Sequence, residues 1–200
     1  MCALRQKKKK LTKQRLIEAA AAEFAEVGYA RANISRISEK ADYAAGTVYN
    51  YFRSKHELLV AVLSRAMEIL TEQIQEQIAE ITDPVEKAKR AIQVDFEFME
   101  RNEALSKVII REGFAADPKR QKEILVALAP ASEIFVQILE EGKREGLIRS
   151  DIDSVWATVL ADGMVAYILL ARWALEDEKM TYQEMSDLMI KCFVEGVLAK

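Results

Sequence analysis

The chain has 200 residues, which is enough for a small domain and a larger one with a sizeable buried core. Half of the residues are hydrophobic and 30% are charged, as in ordinary water-soluble globular proteins. Only 7 Gly and 3 Pro occur, which argues against many short strands and favours long helices with short connections.

The net charge of −3 conceals a division along the chain. Residues 1–55 carry 12 Lys and Arg against 5 Asp and Glu, whereas residues 56–200 carry 17 against 27. A basic N-terminal part joined to an acidic remainder predicts that the N-terminal part meets a polyanion. For the four lysines at residues 7–10, a merely solvated tail is the alternative.

Several classes of protein are excluded by simple patterns. The two cysteines, Cys2 and Cys192, have no metal-binding or redox spacing, which is typical of a reduced, cytoplasmic chain. The basic N-terminus lacks the apolar stretch of a signal peptide. The apolar window at residues 156–175 contains Asp162 and Arg172, which are costly in lipid, so we expect a buried helix and no membrane contact. No cofactor and no metal site are predicted.

Apolar residues repeat with the helical period along nearly the whole chain, so the predicted fold class is all-α. About nine helices are predicted, at residues 12–27, 34–41, 45–52, 54–81, 84–101, 103–114, 118–145, 152–176 and 182–198. Capping boxes start two of them, with Ser54 and Glu57 in one and Thr181 and Glu184 in the other. Pro130 predicts a kink or a break in the seventh helix.

Residues 34–52 have the arrangement of a helix-turn-helix, because two short helices are joined by the three residues 42–44. Val48 and Phe52 are four residues apart and are predicted to face the core. The residues left to face outward are Ala45, Gly46, Thr47, Tyr49 and Asn50. This set is small, polar and free of acids, which suits a DNA groove. An ordinary three-helix packing motif is the alternative.

The helix-turn-helix lies in a longer stretch with a recognisable sequence. It includes Gly28-Tyr29, residues 33–38, Ala41 and the run GTVYNYFRSKHELL at residues 46–59. Over residues 12–63 the chain closely resembles the N-terminal domain of TetR-family repressors. The resemblance implies a homodimeric, all-helical repressor. Residues 1–55 would be a basic arm and a three-helix DNA-binding domain, and residues 56–200 a larger helical domain for ligand binding and dimerisation.

The outward face and the resemblance together give the candidate DNA-binding residues, which are Asn33, Ser35, Tyr43, Ala45, Gly46, Thr47, Tyr49, Asn50 and Lys55. The resemblance implies that Thr47 and Tyr49 contact phosphates or bases and that Lys55 binds a phosphate. Asn33 departs from the usual threonine of the family, and Ala45 from the basic residue of some members. The implied partner is double-stranded operator DNA.

The C-terminal part offers a candidate dimer interface and a candidate ligand pocket. Two apolar helices within residues 152–198 resemble the pair that forms the family's four-helix dimer interface, and an intramolecular core is the alternative. The helix at residues 152–176 is apolar nearly all round, which predicts burial on most sides. Candidate pocket residues for a small-molecule inducer, hydrophobic or amphipathic, are Phe96, Met99, Arg111, Phe114, Phe135, Met164 and Tyr167.

A ligand-responsive transcriptional repressor has two alternatives, an enzyme and a helical adaptor. His56 is the only histidine, and the chain has no Gly-rich phosphate loop, nucleophile elbow or metal motif, so no enzyme and no catalytic residues are predicted. A helical adaptor that does not bind DNA would keep the fold and lose the operator. Sequence-specific, salt-sensitive DNA binding distinguishes the repressor from the adaptor.

Overall fold

A computed structural model of the chain describes residues 2–113, 118–175 and 179–198. In these residues the regular structure is helical, apart from one isolated bridge between Ile148 and Leu198. In chain order the elements are α1 (Cys2–Arg31), α2 (Ile34–Lys40), a 3₁₀ turn (Val48–Asn50), α3 (Lys55–Ile78), α4 (Pro84–Arg101), α5 (Glu103–Gly113), α6 (Pro118–Arg144), α7 (Ser154–Leu175), α8 (Tyr182–Met189), a π-helical segment (Ile190–Val194) and α9 (Glu195–Val197). The predicted all-α class is confirmed.

The chain forms two compact units. The first comprises residues 1–66 and 104–127, and the second comprises residues 67–103 and 128–200. The boundary near residue 55 that the charge pattern indicated stays a prediction.

The first unit has a core built from the apolar stripe of α1. Leu16 and Phe24 on α1, Ile37 on α2, and Leu58 and Leu59 on α3 are all fully buried. Burial of each such side chain contributes about 1.5–3 kcal/mol relative to exposure. The predicted cap of α3 is present, because the Ser54 hydroxyl accepts a hydrogen bond from the backbone N–H of Glu57 at 3.1 Å.

In the second unit, α4 packs against α8 and the π-helical segment. Phe96 on α4 and Met185 on α8 are among the largest fully buried side chains. The predicted capping box of α8 is confirmed, since Thr181 and Glu184 each bond the other's backbone. Near the C-terminal end, Arg149 donates its backbone N–H to the carbonyl of Val197 at 3.0 Å.

Two helices differ from the sequence-based prediction in the first unit. α1 begins at Cys2 instead of residue 12, because the lysine run consists of good helix formers that lack an apolar period. α1 is interrupted at Gly28, which has a φ of 76°. The predicted third helix at residues 45–52 is only the 3₁₀ turn, flanked by turn residues.

Two further differences concern α6 and α7. α6 continues through Pro130, so of the two predicted outcomes the break does not occur and the kink stays a prediction. The predicted burial of α7 on most sides does not hold within the single chain, because Trp156 is 68% exposed and Tyr167 is 73% exposed. The helical period could not reveal this, since an apolar side chain has the same sequence signature in a core and at an uncovered face. By length and composition alone α7 is apolar enough to cross a membrane.

Candidate nucleic-acid interface

The 3₁₀ turn is held from behind by two apolar side chains. Val48 is completely buried and Phe52 is 2% exposed, as their spacing predicted. The carbonyl of Val48 accepts backbone hydrogen bonds from Tyr51 and Phe52, both at 2.9 Å. So short a helical turn is not stable by itself, and these contacts fix its position.

The opposite side of the turn is open. Tyr49 is 60% exposed, and Asn50 is exposed as well. Ala45 and Gly46 are also exposed, and Thr47 is half-buried. A Cβ added at Gly46 would meet no atom within 4 Å, so the fold itself does not require a glycine there. The face predicted to contact DNA is therefore available in the folded protein.

The start of α2 is fixed by Asn33. Its side-chain oxygen accepts a hydrogen bond from the backbone N–H of Ser35 at 2.8 Å, and both residues are exposed. Asn33 is therefore the N-cap of α2. The amide NH₂ group of Asn33 stays available as a donor.

The segment between α2 and the 3₁₀ turn has one residue in an unusual backbone conformation and is held by two side-chain hydrogen bonds. Asp42 adopts the left-handed conformation, with a φ of 60°. The buried Ser38 hydroxyl donates to the carbonyl of Ala45 at 3.1 Å. The Tyr43 hydroxyl lies 3.2 Å from the Thr12 hydroxyl on α1. Tyr43 is half-buried, so its role as a DNA contact stays a prediction beside this structural one.

Lys55 has partners that the sequence did not reveal. Its ammonium group donates to the carbonyls of Tyr29, Ala30 and Ala32, at 2.9, 3.1 and 3.1 Å. It also lies 4.7 Å from the centre of the Tyr29 ring. An ammonium group has three N–H donors, and all three are engaged here. The implied phosphate contact would require one donor to leave a carbonyl of α1.

Two cations next to the interface are paired with acids. The carboxylate of Glu23 is fully buried in α1, and its oxygens lie 2.9 Å from Lys40 Nζ and 3.5 Å from Arg36 Nε, without well-aligned hydrogen bonds. Glu26 also pairs with Lys40 and Arg36. The hydrogen bond and charge of Lys40 lower the pKa of Glu26. These pairs join α1 to α2.

The candidate pocket residues do not form one group. Phe96 and Met99 are buried in α4, and the Phe135 ring packs 6.0 Å from that of Phe193. Met164 and Tyr167 lie apart from these residues on the exposed face of α7, and their assignment to a ligand pocket stays a prediction.

The two other pocket candidates are placed differently. Arg111 lies in the first unit, where it is exposed and borders a cavity of about 310 Å³ lined by residues 24–31 of α1 and by α5. Its role in an apolar pocket stays a prediction. Phe114 lies outside the described residues.

Comparison with known families decides the identity. Residues 16–62 match the family model "Bacterial regulatory proteins, tetR family", and residues 63–196 match the model "YsiA-like protein, C-terminal region". The chain belongs to the TetR family. It is a DNA-binding transcriptional regulator, and its relatives are regulators rather than enzymes.

Similar TetR-family proteins cover almost the whole chain. The fatty acid metabolism regulator protein of Bacillus subtilis (strain 168) is 26% identical over 191 residues, which are 96% of this chain and 98% of that protein. The structure of Bacillus subtilis FadR with stearoyl-CoA has a TM-score of 0.83 and 26% identity, and covers 92% of this chain and 98% of that one. FadR from Bacillus halodurans has a TM-score of 0.82 and 25% identity, covering 92% and 95%.

Sequence reasoning missed two residues that support this TetR-family interface. Glu23 was overlooked, although it stands on the same face of α1 as Leu16 and Ala20, where an acid must find a partner. Thr12 lies at the predicted start of the first helix, and nothing in the sequence connects it to Tyr43, 31 residues away.

Proposed function

We propose that this protein is a cytoplasmic repressor that binds operator DNA as a homodimer and is released by a fatty acyl-CoA. The observation that carries the DNA-binding part is the exposed face of the 3₁₀ turn. There Tyr49 and Asn50 reach solvent while Val48 and Phe52 are buried behind them. Hydroxyl and amide groups on such a face fit phosphates and base edges of a major groove.

The candidate DNA contacts have different roles in this proposal. Thr47 and Tyr49 bind phosphates or base edges through their hydroxyls, and Asn50 reads a base through its amide. Gly46 allows the duplex to approach the backbone. Asn33 contributes its free NH₂ group, because its side-chain oxygen already caps α2. Ser35 and Ala45 are exposed and belong to the same candidate set.

The second copy in the proposed homodimer covers the exposed apolar face of α7. This face contains Val155, Trp156, Val159, Leu160, Met164 and Tyr167. A continuous row of large apolar side chains is unusual on a monomeric protein and marks an interface. A Cβ at Gly163 would meet nothing within 4 Å, so there is room for a partner helix to approach closely. The proposed interface extends over residues 152–198.

The ligand class comes from the relative that binds stearoyl-CoA, since that protein is 26% identical to this chain. A fatty acyl-CoA joins an apolar chain to a polyanionic head group and is therefore amphipathic. Phe96, Met99 and Phe135 of the second unit are the candidates for contact with the acyl chain. Release follows if the ligand binds a conformer of low DNA affinity more tightly than the DNA-binding conformer.

The DNA-binding part is tested with duplexes from the region upstream of the protein's own gene, by fluorescence anisotropy against unrelated competitor DNA. We expect sequence preference and affinity that falls as salt rises. Tyr49→Ala should weaken specific binding by at least tenfold without unfolding the protein. Val126→Ala, a change at another exposed residue of the first unit, is the matched control and should have no effect. Equal binding to every duplex at all salt concentrations would favour a non-DNA adaptor.

Ligand release is tested on the same protein–DNA complex. Stearoyl-CoA should release the duplex, whereas equal concentrations of CoA or stearate should not. Release by CoA alone would contradict the proposed role of the acyl chain.

The dimer is tested by light scattering after chromatography without detergent. The parent protein should have the mass of two chains, and Leu160→Glu should have the mass of one, because a buried charge at the interface has no partner. Gln137→Glu, an exposed position on α6, should stay dimeric. A parent chain that stays in solution only with detergent would point to a membrane-bound α7 instead.

A further inference from the structure

The N-terminal half of α1 is strongly basic. Between residues 5 and 15 it carries seven Lys and Arg and no acid, and they are Arg5, Lys7, Lys8, Lys9, Lys10, Lys13 and Arg15. All seven side chains are exposed, and none is paired with an acidic side chain of the described residues. So many unneutralised charges along one helix attract a polyanion.

The helical period divides these cations between two sides of α1. Arg5, Lys9, Thr12 and Leu16 follow one another at spacings of four, three and four, and so lie on one face. Thr12 and Leu16 are buried against the first unit. Arg5 and Lys9 therefore continue the packed stripe of α1, while Lys7 and Lys10 lie on the opposite side of the helix.

The packed stripe passes along the helix-turn-helix. Thr12 contacts the hydroxyl of Tyr43, which belongs to the turn after α2. The next residue, Lys13, places its ammonium group 5.6 Å from the centre of the Phe52 ring. With a rise of about 1.5 Å per residue, Arg5 lies about 10 Å beyond Thr12 along the helix axis. The cationic part of the stripe therefore continues toward the N-terminus from the contact between Thr12 and the turn, and it is exposed.

We propose that Arg5 and Lys9 form a helical arm that binds phosphates of the duplex flanking the operator half-site. The proposal rests on the proposed operator binding and extends its contact surface by one element. Arg5 and Lys9 replace counterions on two phosphates, and each such contact adds about 0.9 to the slope of log affinity against log salt. The arm contributes affinity and orientation, and no base reading.

Two matched double variants test the arm. Arg5→Gln with Lys9→Gln removes the charges on the packed side, and Lys7→Gln with Lys10→Gln removes two from the opposite side. Both variants have the same net charge, and glutamine has nearly the helix propensity of lysine and arginine. Thermal unfolding followed by circular dichroism establishes that both variants keep the fold of the parent.

Affinity is measured from 50 to 300 mM salt on an operator duplex with long flanks and on one trimmed to the half-sites. On the long duplex, the Arg5/Lys9 variant should lose about 1.8 from the salt slope and bind roughly 10- to 30-fold more weakly near 150 mM salt. The Lys7/Lys10 variant should stay within about twofold of the parent, because exposed charges that contact nothing are screened. On the trimmed duplex, the two variants should behave alike.

Equal losses of DNA affinity in the two variants, or no loss in either, would contradict the proposed role of Arg5 and Lys9. So would vesicle binding that needs Arg5 and Lys9 if the DNA slopes stay unchanged, because that result assigns the two cations to an anionic lipid surface. Operator recognition is measured separately, as the parent's preference for its operator over unrelated DNA. A parent protein without that preference contradicts the proposed function. The difference in salt slope between the two variants on any long duplex still tests whether Arg5 and Lys9 bind phosphates.

Discussion

Each of the two units contains a carboxylate with restricted access to solvent, and the neighbouring charges are positive in the first unit and negative in the second. In the first unit, Glu23 is fully buried beside the cations of Lys40 and Arg36. In the second unit, Asp95 on α4 is half-buried, and the charge that acts on its pKa is the carboxylate of Asp162. Burial, with the added repulsion from Asp162, raises the pKa of Asp95 to about 7.

This difference in neighbouring charges is consistent with a structural role for Glu23 and with a ligand-site role for Asp95. Paired charges join α1 to α2 and keep the DNA-facing surface in one geometry. An acid without a compensating cation costs folding free energy, and strongly shifted carboxyl groups are frequent at ligand sites. The comparison therefore predicts that removing the charge of Glu23 destabilises the protein, whereas removing the charge of Asp95 stabilises it.

The largest effect is expected from Asp95→Asn, which should stabilise the protein at pH 7.5. Because the pKa of Asp95 is about 7 instead of 3.8, ionisation above pH 7 costs the folded state up to about 4 kcal/mol. The side chain keeps some contact with solvent, so we expect a gain of about 1–3 kcal/mol in the free energy of unfolding. Urea denaturation at pH 7.5 measures it.

The pH dependence gives the sign of the effect. A raised acid pKa costs nothing below the unfolded value near pH 4, costs progressively more from pH 4 to pH 7, and stays constant above. The two proteins should therefore differ at pH 7.5 and be equally stable at pH 4. Glu100→Gln, at an exposed position of the same helix, should change stability little at either pH. An advantage of Asp95→Asn that is the same at both pH values would contradict the assigned pKa.

Glu23→Gln should have the opposite sign and lower the free energy of unfolding by about 1–2 kcal/mol. The loss is below that of a fully buried pair, because the Arg36 side chain is 50% exposed and Lys40 29%, so both cations regain water. Urea denaturation at pH 7.5 checks the value. Glu39→Gln on the exposed side of α2 serves as control. If the Glu23 variant were as stable as the parent or more so, the pairing would not hold α1 to α2.

Lys55→Met tests whether the charge of Lys55 stabilises the fold or binds a DNA phosphate. It keeps the aliphatic stem and removes the donor to three carbonyls at the end of α1, which should lower the free energy of unfolding by about 1 kcal/mol. Because all three donors face the protein, the salt slope of operator binding should stay as in the parent. A slope that falls by about 0.9 would instead restore the phosphate contact implied by the resemblance.

Sequence alone was sufficient for the parts of the interface that depend on local spacing. Val48 and Phe52 were correctly predicted as buried because they are four residues apart, and this also leaves Tyr49 and Asn50 outside. The partners of Lys55 were not predictable, because they lie 23 to 26 residues earlier in the chain. A resemblance transfers the role of a residue, but it does not show which acceptors the residue meets in this chain.

The C-terminal helices show the same limit of local patterns. Trp156 and Tyr167 repeat at helical spacing like core residues, and only the fold reveals that both are exposed. The raised pKa of Asp95 comes from burial by the surrounding fold and from the charge of Asp162 on a different helix, so no single-helix pattern indicates it.

The smallest predicted effect concerns the backbone of the turn in the first unit. Asp42 has a φ of 60°, a conformation that costs an ordinary L-residue about 1–2 kcal/mol and costs glycine almost nothing. Aspartate tolerates it better than most residues, and glycine adds entropy to the unfolded chain, so Asp42→Gly should gain only about 0.5 kcal/mol. Asp42→Ala should lower the free energy of unfolding by about 0.5 kcal/mol, because alanine tolerates a positive φ less well than either aspartate or glycine. Urea denaturation resolves the order Gly, Asp, Ala. If Ala were the most stable of the three, the tight geometry of this turn would not be what fixes the DNA-facing surface.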